Sequence, residues 1–486
     1  MITGTELDVF LKPRSVAVVG ATERPGSWGS FIMEGLLSRA YPGEIYPVNR
    51  SVDHVHGIRA YSEVGELPDS PDLAILTIPA EAVEQVIEAC GRKGVKGVTI
   101  ISAGYGEAVE DGKEREQDLV TLANSYGMRL LGPNVSGTFD LQAEFNGSAS
   151  PEKHLVKSKL AAVCQGGHAI YDLLGHAFFK GMGVGKFVHT GNESDLTTTD
   201  FLEHLGRDPE VEGLLMYVEA IKEGKRFLEL ARDISRTKPI VMYKAGRSGA
   251  ASRAAKSHTG ALSGIHEIYK GALAQANILL SPTMELLLPL GHALIERPPM
   301  CGNRVAILTM GGSWGVALSD TLEAEGLQVP ELSGPLQSKL TDLGMPIRAS
   351  VKNPVDIGAS GLFFNKELLL DLGRHILTSG EVDAMILHGM GRPGMLGENA
   401  PGRLRLFLEI NKEIIRGYVK LEKEYGLPVF IGSIYAPWES QVIHDLNEEG
   451  VRVYDRLDEI AQILSLMHLY RARRESVDFS IGFGIH

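Results

Sequence analysis

The stretch from Lys244 to Gly264, KAGRSGAASRAAKSHTGALSG, brings one histidine together with cations and small residues. Fifteen of its 21 residues are Gly, Ala, Ser or Thr, and it contains no acid among its four cations: Lys244, Arg247, Arg253 and Lys256. Small residues let the backbone approach a ligand closely, and hydroxyl and free N–H groups bind anions. His258 could therefore be a nucleophile toward a phosphoryl group. The composition fits a solvated basic loop before a helix equally well.

The length, composition and net charge of the chain are those of an acidic globular protein, and the basic stretch at 244–264 is a local exception. The 486 residues are 44% hydrophobic and 22% charged, with a net charge of −13. This length predicts about three domains, and the acidic balance argues against nucleic acid or an anionic membrane as the main partner. The three cysteines form no CxxC pair, which excludes a disulfide framework and a cysteine zinc site and favours a reducing cytoplasm. No metal site, signal core or membrane span is predicted.

The first third of the chain alternates strand and helix signals. SVAVV at 15–19 is a short apolar run that ends at Gly20, and further apolar runs follow at 72–79 and 95–102. This pattern predicts a parallel sheet covered on both faces. The first loop carries its glycines as G-x5-G-x2-G, which is not GxGxxG, but a glycine-rich turn that leads into a helix still makes a phosphate site.

The residues after the second strand indicate which nucleotide the first domain binds. The acid that an NAD site needs there is replaced by Asn49-Arg50. A basic residue suits a phosphorylated ribose, as in CoA or NADP, better than a free diol. The alternative is that glycine and proline only end the strands of this domain.

A second α/β unit follows a polar segment at 141–159 that is predicted to be a linker. Its strands end in CQGG, HTGNESD, YVE and KAGRSG, which share one edge of a parallel sheet. Glu219 can therefore point toward the same crevice as His258. A carboxylate that accepts from one imidazole nitrogen would leave the other free to attack phosphorus. Glu219 as a plain surface acid is the alternative.

A third α/β unit begins at NRVAILTMGG, 303–312, after the proline-containing segment 296–303. The sequence predicts an α/β fold of three consecutive domains, at 1–142, 155–298 and 302–472.

The order of motifs GATERPGSWG, VNR, SAGYGE, GPN, HTGNESD, YVE, KAGRSGAASRAAKSHTGALSG, GGSWGV and NPVD resembles the α subunit of NDP-forming acyl-CoA synthetases. These are the ADP-forming acetyl-CoA synthetases related to succinyl-CoA synthetase. The resemblance covers about residues 8–470. It implies an N-terminal Rossmann-like CoA-binding domain followed by two flavodoxin-like domains of the succinyl-CoA-ligase type.

The resemblance also implies roles for single residues. His258 matches the transiently phosphorylated histidine, and Glu219 matches the glutamate that supports it. CoA would be bound by Gly20, Ala21, Thr22, Gly26, Ser27, Gly29, Asn49, Arg50, Pro79, Ser102, Gly104 and Asn134. The phosphate would be held by Gln165, Gly166, Gly167, Lys244, Arg247, Lys256, Ser257, Thr259 and Gly260.

The implied reaction interconverts acyl-CoA, ADP and phosphate with a carboxylic acid, CoA and ATP, through an acyl phosphate and a phosphohistidine. Nothing in the 486 residues resembles an ATP-grasp domain. The implied partner is a separate ATP-grasp β subunit that carries ADP or ATP and Mg²⁺, in an α2β2-like hetero-oligomer.

Four motifs depart from the family pattern. CQGG stands for SQSG, TMGGSWG for NAGGPG, and GPNVSG for GPNCLG, and NPVDIGASG stands where a GDA-type ending is usual. These changes leave open an unusual acyl substrate, including a larger or aromatic one, and a non-catalytic CoA-binding sensor or scaffold. An NADP-dependent oxidoreductase is a third alternative, based on the first domain alone. His168 is interpreted as a core or rim residue and not as a second catalyst. His176, His189 and His204 have no ligand spacing and are interpreted as structural or surface residues.

Overall fold

The computed structural model describes residues 6–109, 111–150, 154–166, 168–251, 266–346, 348–358, 365–391 and 402–482. The chain divides into two compact units. The N-terminal unit is Met1–Phe178 with Gly183–Gly291, and the C-terminal unit is Phe179–Met182 with His292–His486. Within the described ranges, no helix is long and apolar enough to cross a membrane.

The N-terminal unit begins with a five-stranded sheet. Its strands and an accompanying hairpin are β1 (Ser15–Val19), β2 (Glu44–Val48), β3 (His54–Val55), β4 (Ile58–Arg59), β5 (Leu73–Leu76), β6 (Gly97–Ile100) and β7 (Arg129–Leu131). The helices are α1 (Trp28–Ser38), α2 (Ala80–Lys93) and α3 (Gly112–Ser125), with 3-10 turns at Asp8–Phe10 and Val64–Glu66. The sheet order is β2-β1-β5-β6-β7, all parallel, and β3 pairs with β4.

A seven-stranded sheet completes the N-terminal unit. Its strands are β8 (Gly137–Asp140), β9 (Phe145–Ser148), β10 (Leu160–Cys164), β11 (Lys186–His189), β12 (Gly213–Val218), β13 (Ile240–Lys244) and β14 (Leu279–Leu280). Its helices are α4 (His168–Phe178), α5 (Thr198–Arg207), α6 (Gly224–Ile234), α7 (His266–Gln275) and α8 (Leu287–Glu296), which runs into the C-terminal unit. The order is β14-β13-β12-β10-β11-β8-β9, with β8 and β9 antiparallel at one edge.

The C-terminal unit holds a third sheet. Its strands are β15 (Val305–Thr309), β16 (Val355–Asp356), β17 (Ala384–His388), β18 (Val429–Gly432) and β19 (Val453–Tyr454). The sheet is fully parallel, with the order β16-β15-β17-β18-β19. The described helices are α9 (Gly312–Ala324), α10 (Gly334–Asp342), α11 (Lys366–Leu377), α12 (Gly402–Tyr425), α13 (Gln441–Glu448) and α14 (Leu457–Gly482).

The three sheets share one doubly wound topology. In each, the five parallel strands lie in the order second, first, third, fourth, fifth. The strand order therefore reverses between the first and the third strand of each sheet. The loops after these two strands lead to opposite faces of the sheet and leave a crevice between them. In the N-terminal unit these strand pairs are β1 with β5 and β10 with β12. This arrangement confirms the predicted fold class, while the exact domain boundaries stay predictions.

The prediction of a linker at 141–159 is wrong over part of this segment, because the segment contains the buried strand β9. The sequence there is polar, and the polar groups are satisfied internally: the Ser148 hydroxyl donates to Asn146 Oδ1 at 2.7 Å. The strand packs on α1 at Gly35, where a Cβ would lie 2.7 Å from the Asn146 carbonyl oxygen. A helix glycine thus provides the room that apolar side chains would otherwise fill.

The core of the N-terminal unit contains residues from both of its sheets. Phe10, before β1, packs edge-to-face on Phe201 of α5, with ring centroids 6.4 Å apart. Arg129 of β7 makes a two-pronged bond to Asp195, at 2.9 Å from Nε and 2.7 Å from a terminal nitrogen. Such paired bonds fix orientation as well as distance, so the loop after β11 is held against the start of β7.

The C-terminal unit buries a histidine at the end of β17. His388 is 1% exposed, and neither ring nitrogen has a hydrogen-bond partner among the residues that the structure describes. Its ring lies 5.3 Å from the ring of Trp314 in α9. Burial lowers the pKa of His388 to about 4, because a charged imidazole is poorly solvated there.

Acidification should therefore destabilise the C-terminal unit through His388. Between pH 6.5 and 4 the unfolded chain binds more protons at this position than the folded chain, so stability falls as the pH falls. The expected cost is about 2 kcal/mol between pH 7 and pH 5. We expect the melting temperature of His388→Phe to fall less over this interval than that of the parent. The exposed His444→Gln is the control, and equal acid sensitivity of all three chains would contradict the assignment.

Candidate active site

A cavity of about 590 Å³ in the N-terminal unit, named the larger cavity below, lies at the carboxyl ends of the strands. One wall comes from the first sheet and the other from the loops after β7, β10 and β11. Its lining residues are Arg24, Trp28, Thr77, Ile78, Pro79, Ala80, Ile101, Ser102, Ala103, Asn134, Val135, Ser136, Gln165, His189 and Gly191. The cavity is therefore placed where an open α/β sheet binds its ligand.

A second, smaller cavity of about 350 Å³ also has Pro79 in its wall. Residues from the ends of β1 and β2 and from α2 surround it: Val19, Gly20, Val48, Asn49, Arg50, Ser62, Glu63, Val64, Ile78, Pro79, Ala82, Gln85, Val86 and Ala89. Ile78 and Pro79 line both cavities. An elongated ligand could thus follow the carboxyl edge of the first sheet from one cavity to the other.

The loop between β1 and α1 is built on two close backbone approaches. Gly20 has φ +94°, and a Cβ on it would lie 2.6 Å from Thr77 Oγ1. A Cβ on Gly29 would lie 2.1 Å from the carbonyl oxygen of Gly20. Ser27 caps α1 by accepting the Ser30 N–H at 3.4 Å. The loop therefore needs glycine at both positions, and it presents a helix N-terminus of the kind that binds phosphate.

The structure brings six of the twelve predicted CoA-binding residues to the cavities. Gly20, Asn49 and Arg50 line the smaller cavity, Ser102 and Asn134 line the larger, and Pro79 lines both. The six others line neither of the two cavities: Ala21, Thr22, Gly26, Ser27, Gly29 and Gly104.

Two of the predicted ligand residues also shape the loops. The Asn49 side chain donates to the Ala21 carbonyl at 2.7 Å, which ties β2 to the first loop. The Ser102 hydroxyl donates to the Ile78 carbonyl. Their contact with CoA stays a prediction.

Gln165 clamps the loop that carries Glu219. Its Oε1 accepts the backbone N–H groups of Glu219 at 2.6 Å and Ala220 at 3.0 Å, and its Nε2 donates to the Ala220 carbonyl at 2.7 Å. The next residue must be small, since a Cβ on Gly166 would lie 2.7 Å from the Tyr217 ring. The loops after β10 and β12 are therefore joined where the sheet order reverses.

Glu219 itself is 5% exposed. The Tyr217 hydroxyl lies 3.4 Å from Glu219 Oε1, and burial followed by the charge of Glu219 raises the pKa of Tyr217. The phenol is thus neutral and able to donate. Tyr217 also stacks on Tyr243 with ring centroids 5.9 Å apart. The carboxylate predicted to support His258 is accordingly held at a fixed place.

Lys244 and Arg247, the two cations at the start of the basic stretch, are hydrogen-bonded to backbone carbonyls. Lys244 is 2% exposed and donates from Nζ to the carbonyls of Glu219 at 2.7 Å and Ala245 at 2.6 Å. Arg247 donates to the carbonyls of Lys244, Ser281 and Pro282, and its guanidinium lies over the Tyr243 ring. Burial, which outweighs the attraction of Glu219, lowers the pKa of Lys244. Direct contact of either residue with phosphate stays a prediction.

The centre of the stretch lies outside the described residues, which resume at His266. This applies to His258, to Arg253 and to four predicted phosphate ligands: Lys256, Ser257, Thr259 and Gly260. A fifth predicted phosphate ligand, Gly167 after β10, also lies outside the described residues.

A polar network joins the loops of the two sheets beside the larger cavity. Asn192 donates to Glu107 Oε2 at 2.5 Å and to Glu116 Oε1 at 2.7 Å, and Ser194 donates to Glu116 Oε2 at 2.8 Å. Burial acts to raise the pKa of Glu107, but bonds from the Gly104 N–H and from Asn192 outweigh it, and this pKa is lowered. Glu107 is therefore an anion that only accepts, as the network requires.

Sequence reasoning missed several residues that line the larger cavity. Arg24 and Trp28 belong to the GATERPGSWG motif, and an arginine and a tryptophan within a glycine-rich segment are a signal that could have been used. His189, interpreted as structural or surface, is also in the wall. Its HTGNESD motif was placed at the correct sheet edge, but spacing alone did not show which side chain faces the cavity.

Comparisons with known proteins assign these features to one family. Residues 14–138 match the model of a CoA-binding domain, and residues 157–294 match the succinyl-CoA-ligase-like flavodoxin domain. The chain is 35% identical over 460 residues to the alpha subunit of ADP-forming acetate–CoA ligase II of Pyrococcus furiosus, covering 94% of this chain and 96% of the relative. It is also 35% identical to the alpha subunit of ligase I of that organism, over 469 residues, covering 95% and 97%.

The chain belongs to the α subunits of the ADP-forming acyl-CoA ligases. A solved structure supports the same assignment over the whole length. The dinucleotide-forming acetyl-coenzyme A synthetase 1 of Ca. Korarchaeum cryptofilum, in complex with phosphate and ADP, is 30% identical with a TM-score of 0.84 and 99% coverage of both chains. The non-catalytic sensor and the NADP-dependent oxidoreductase are not favoured by these relatives.

This α subunit shows no candidate metal cluster within the residues that the structure describes.

Arg50 provides a direct test of the smaller cavity. We expect Arg50→Ala to weaken CoA binding by about 10- to 100-fold, the value of one charge-assisted hydrogen bond to a phosphate. Binding of dephospho-CoA should change little, because that ligand lacks the ribose phosphate. Isothermal titration with both ligands measures this. Arg92→Ala, an exposed arginine of α2 paired with Glu88, is the control. An equal loss for the two ligands would contradict the assignment.

Proposed function

We propose that this α subunit, together with an ATP-grasp β subunit, interconverts acyl-CoA, ADP and phosphate with a carboxylic acid, CoA and ATP. The observation that carries the proposal is the shared location of two features in the N-terminal unit. The cavities suited to CoA and the Gln165-clamped Glu219 lie at the carboxyl ends of adjacent sheets, and Gln165 belongs to both features.

In the first step, a phosphate oxygen attacks the thioester carbonyl carbon. The C–S bond breaks, CoA leaves as the thiolate and takes up a proton, and an acyl phosphate is formed. In the second step, an imidazole nitrogen of His258 attacks the phosphorus, and the P–O bond to the acyl group breaks to release the carboxylate. In the third step, a β-phosphate oxygen of ADP attacks the phosphohistidine and breaks its P–N bond, giving ATP. Each step is reversible.

The chain's own residues have distinct tasks in this scheme. The N-terminus of α1 and Arg50 bind the phosphates of CoA, and the larger cavity receives the pantetheine arm and the thioester. Glu219 accepts from one nitrogen of His258 and so keeps the other nitrogen available for phosphorus. Gln165 and Lys244 hold Glu219 through its backbone. Arg247 and Lys256 are proposed to neutralise the phosphoryl group, and Ser257, Thr259 and Gly260 to donate hydrogen bonds to it.

The partner is proposed to carry the nucleotide. The relatives are named as alpha subunits, which supports a partner subunit. The finer assignments are an ATP-grasp β subunit that holds ADP or ATP with Mg²⁺, and an α2β2-like assembly. The solved relative with phosphate and ADP supports the nucleotide. A cytoplasmic location is proposed from the cysteines, which are all free in the structure.

Acetate is the substrate named for the relatives, and we propose a carboxylic acid of this class for this chain. A cavity of about 590 Å³ has room for the end of the pantetheine arm and an acyl group larger than acetyl. A panel of aliphatic and aromatic acids, assayed with CoA, ATP and the β subunit, would rank the acyl groups.

The phosphohistidine can be tested by substitution and labelling. We expect His258→Ala to abolish turnover and the incorporation of ³²P from ATP, because no nucleophile remains. Glu219→Gln should lower turnover by about 10²–10⁴-fold, the usual effect of losing a group that orients a catalytic imidazole. His204→Ala is the control, since His204 faces Asp8 at 3.4 Å and lines neither cavity.

These assays use the complex with the β subunit, and peptide mapping locates the label. Full turnover by His258→Ala, or label on a different residue of this chain, would show that the proposed mechanism is wrong.

A further inference from the structure

His189 lines the larger cavity and contacts residues of two different loops that form its wall. It ends β11, is 5% exposed, and lines the cavity together with Ser136 and Gln165. Its Nδ1 lies 2.8 Å from the backbone nitrogen of Ser136 and 2.9 Å from the Ser136 hydroxyl. Its Nε2 lies 3.0 Å from the Gln165 carbonyl oxygen. One imidazole thus bridges the loop after β7 and the loop after β10.

These contacts fix the tautomer of His189. The backbone N–H of Ser136 can only donate, so Nδ1 must accept and carries no proton. The Gln165 carbonyl can only accept, so Nε2 carries the hydrogen and donates it. The ring is therefore a neutral, oriented bridge. It is not arranged as a base or a nucleophile, because both nitrogens are engaged with the protein.

The Ser136 side of the bridge is itself held in place. The Tyr171 hydroxyl donates to the Ser136 hydroxyl at 2.8 Å and lies 3.0 Å from its carbonyl oxygen. Asn134 and Val135, just before Ser136, line the cavity. This end of the bridge therefore belongs to the wall that faces the proposed CoA arm.

The Gln165 side of the bridge leads to Glu219. The carbonyl of Gln165 receives the His189 hydrogen, while its side-chain amide makes the three bonds to the backbone of Glu219 and Ala220. A shift of the Gln165 backbone would pull this amide from its partners. The position of the Glu219 loop thus depends on a bond that His189 donates.

We propose that His189 is a positioning residue that holds Glu219 in place through Gln165 and links it to the loop that lines the CoA cavity. Its structural effect follows from the contacts alone, and its effect on catalysis rests on the proposed function. The residue acts through others and does not touch the transferred group.

Two substitutions separate the halves of the bridge. His189→Gln places an amide N–H near the position of Nε2, so it retains the donor to Gln165 and loses the acceptor for the Ser136 N–H. His189→Leu removes both. His204→Leu, a partly enclosed histidine of α5 in the same unit, controls for loss of an imidazole elsewhere.

The first measurement is amide hydrogen exchange of the purified chain, which needs no activity. We expect His189→Leu to speed exchange at Glu219 and Ala220 by about tenfold or more, because their acceptor Gln165 is no longer held. His189→Gln should speed exchange at Ser136 but leave Glu219 and Ala220 within about threefold of the parent. His204→Leu should change neither. Unchanged exchange at Glu219 and Ala220 in His189→Leu would overturn the proposal.

The second measurement is single turnover in the complex with the β subunit. The enzyme is labelled with ³²P from ATP and mixed with a carboxylic acid and CoA. We expect the label to leave His189→Leu at least tenfold more slowly than the parent and His189→Gln within about threefold. Equal impairment of both variants, with lowered melting temperatures, would show a merely structural role and overturn the proposal. If the parent itself takes no label, the proposed function fails, and hydrogen exchange alone decides the role of His189.

Discussion

The site depends on the amide of Gln165 filling the opening between two diverging strands. β10 and β12 pair through Cys164 and Tyr217, and beyond that pair the backbone groups need new partners. The Gln165 side chain supplies them for Glu219 and Ala220, with one acceptor and one donor in the geometry of a strand. The backbone groups at this opening are therefore hydrogen-bonded, and the loop that carries the Glu219 carboxylate is held in a fixed position.

The same logic extends to the rest of the N-terminal unit. Its two sheets are fastened by directional polar contacts, the Arg129–Asp195 pair and the bonds from Asn192 to Glu107 and Glu116, as well as by a shared apolar core. Directional contacts resist sliding where an apolar interface alone would allow it. A ligand that spans both sheets, as CoA is proposed to do, therefore meets walls whose spacing is set before it binds.

The sequence predicted the elements of the fold well, because buried parallel strands are continuous apolar runs that end at glycine or a polar residue. It also correctly placed the loops after Val19, Cys164 and Val218 at the carboxyl ends of parallel strands. It failed at β9, whose polar residues are satisfied inside the sheet. Composition also could not show that Lys244 and Arg247 donate to carbonyls, since a buried cation and a free one look alike in a sequence.

The residues that sequence reasoning passed over share a physical cause. His189 and Ser136 are joined by contacts between positions 53 residues apart, and no periodicity signals such a pair. The family resemblance correctly assigned the chain, but it transfers roles only to matching motifs. His189 lies in one of these motifs but has no role assigned by the resemblance. Its bridge between the loops after β7 and β10 can be recognised only in the three-dimensional structure.

CoA is proposed to bind beside the Glu219 loop, at one edge of the N-terminal unit. Photo-crosslinking tests this most directly, with a CoA thioether that carries a benzophenone on its sulfur and with peptide mapping of the product. We predict label on the loops at 134–136, 165–166 or 189–191, lost when excess CoA competes. Competed label found only at the amino ends of the strands, away from these loops, would contradict it.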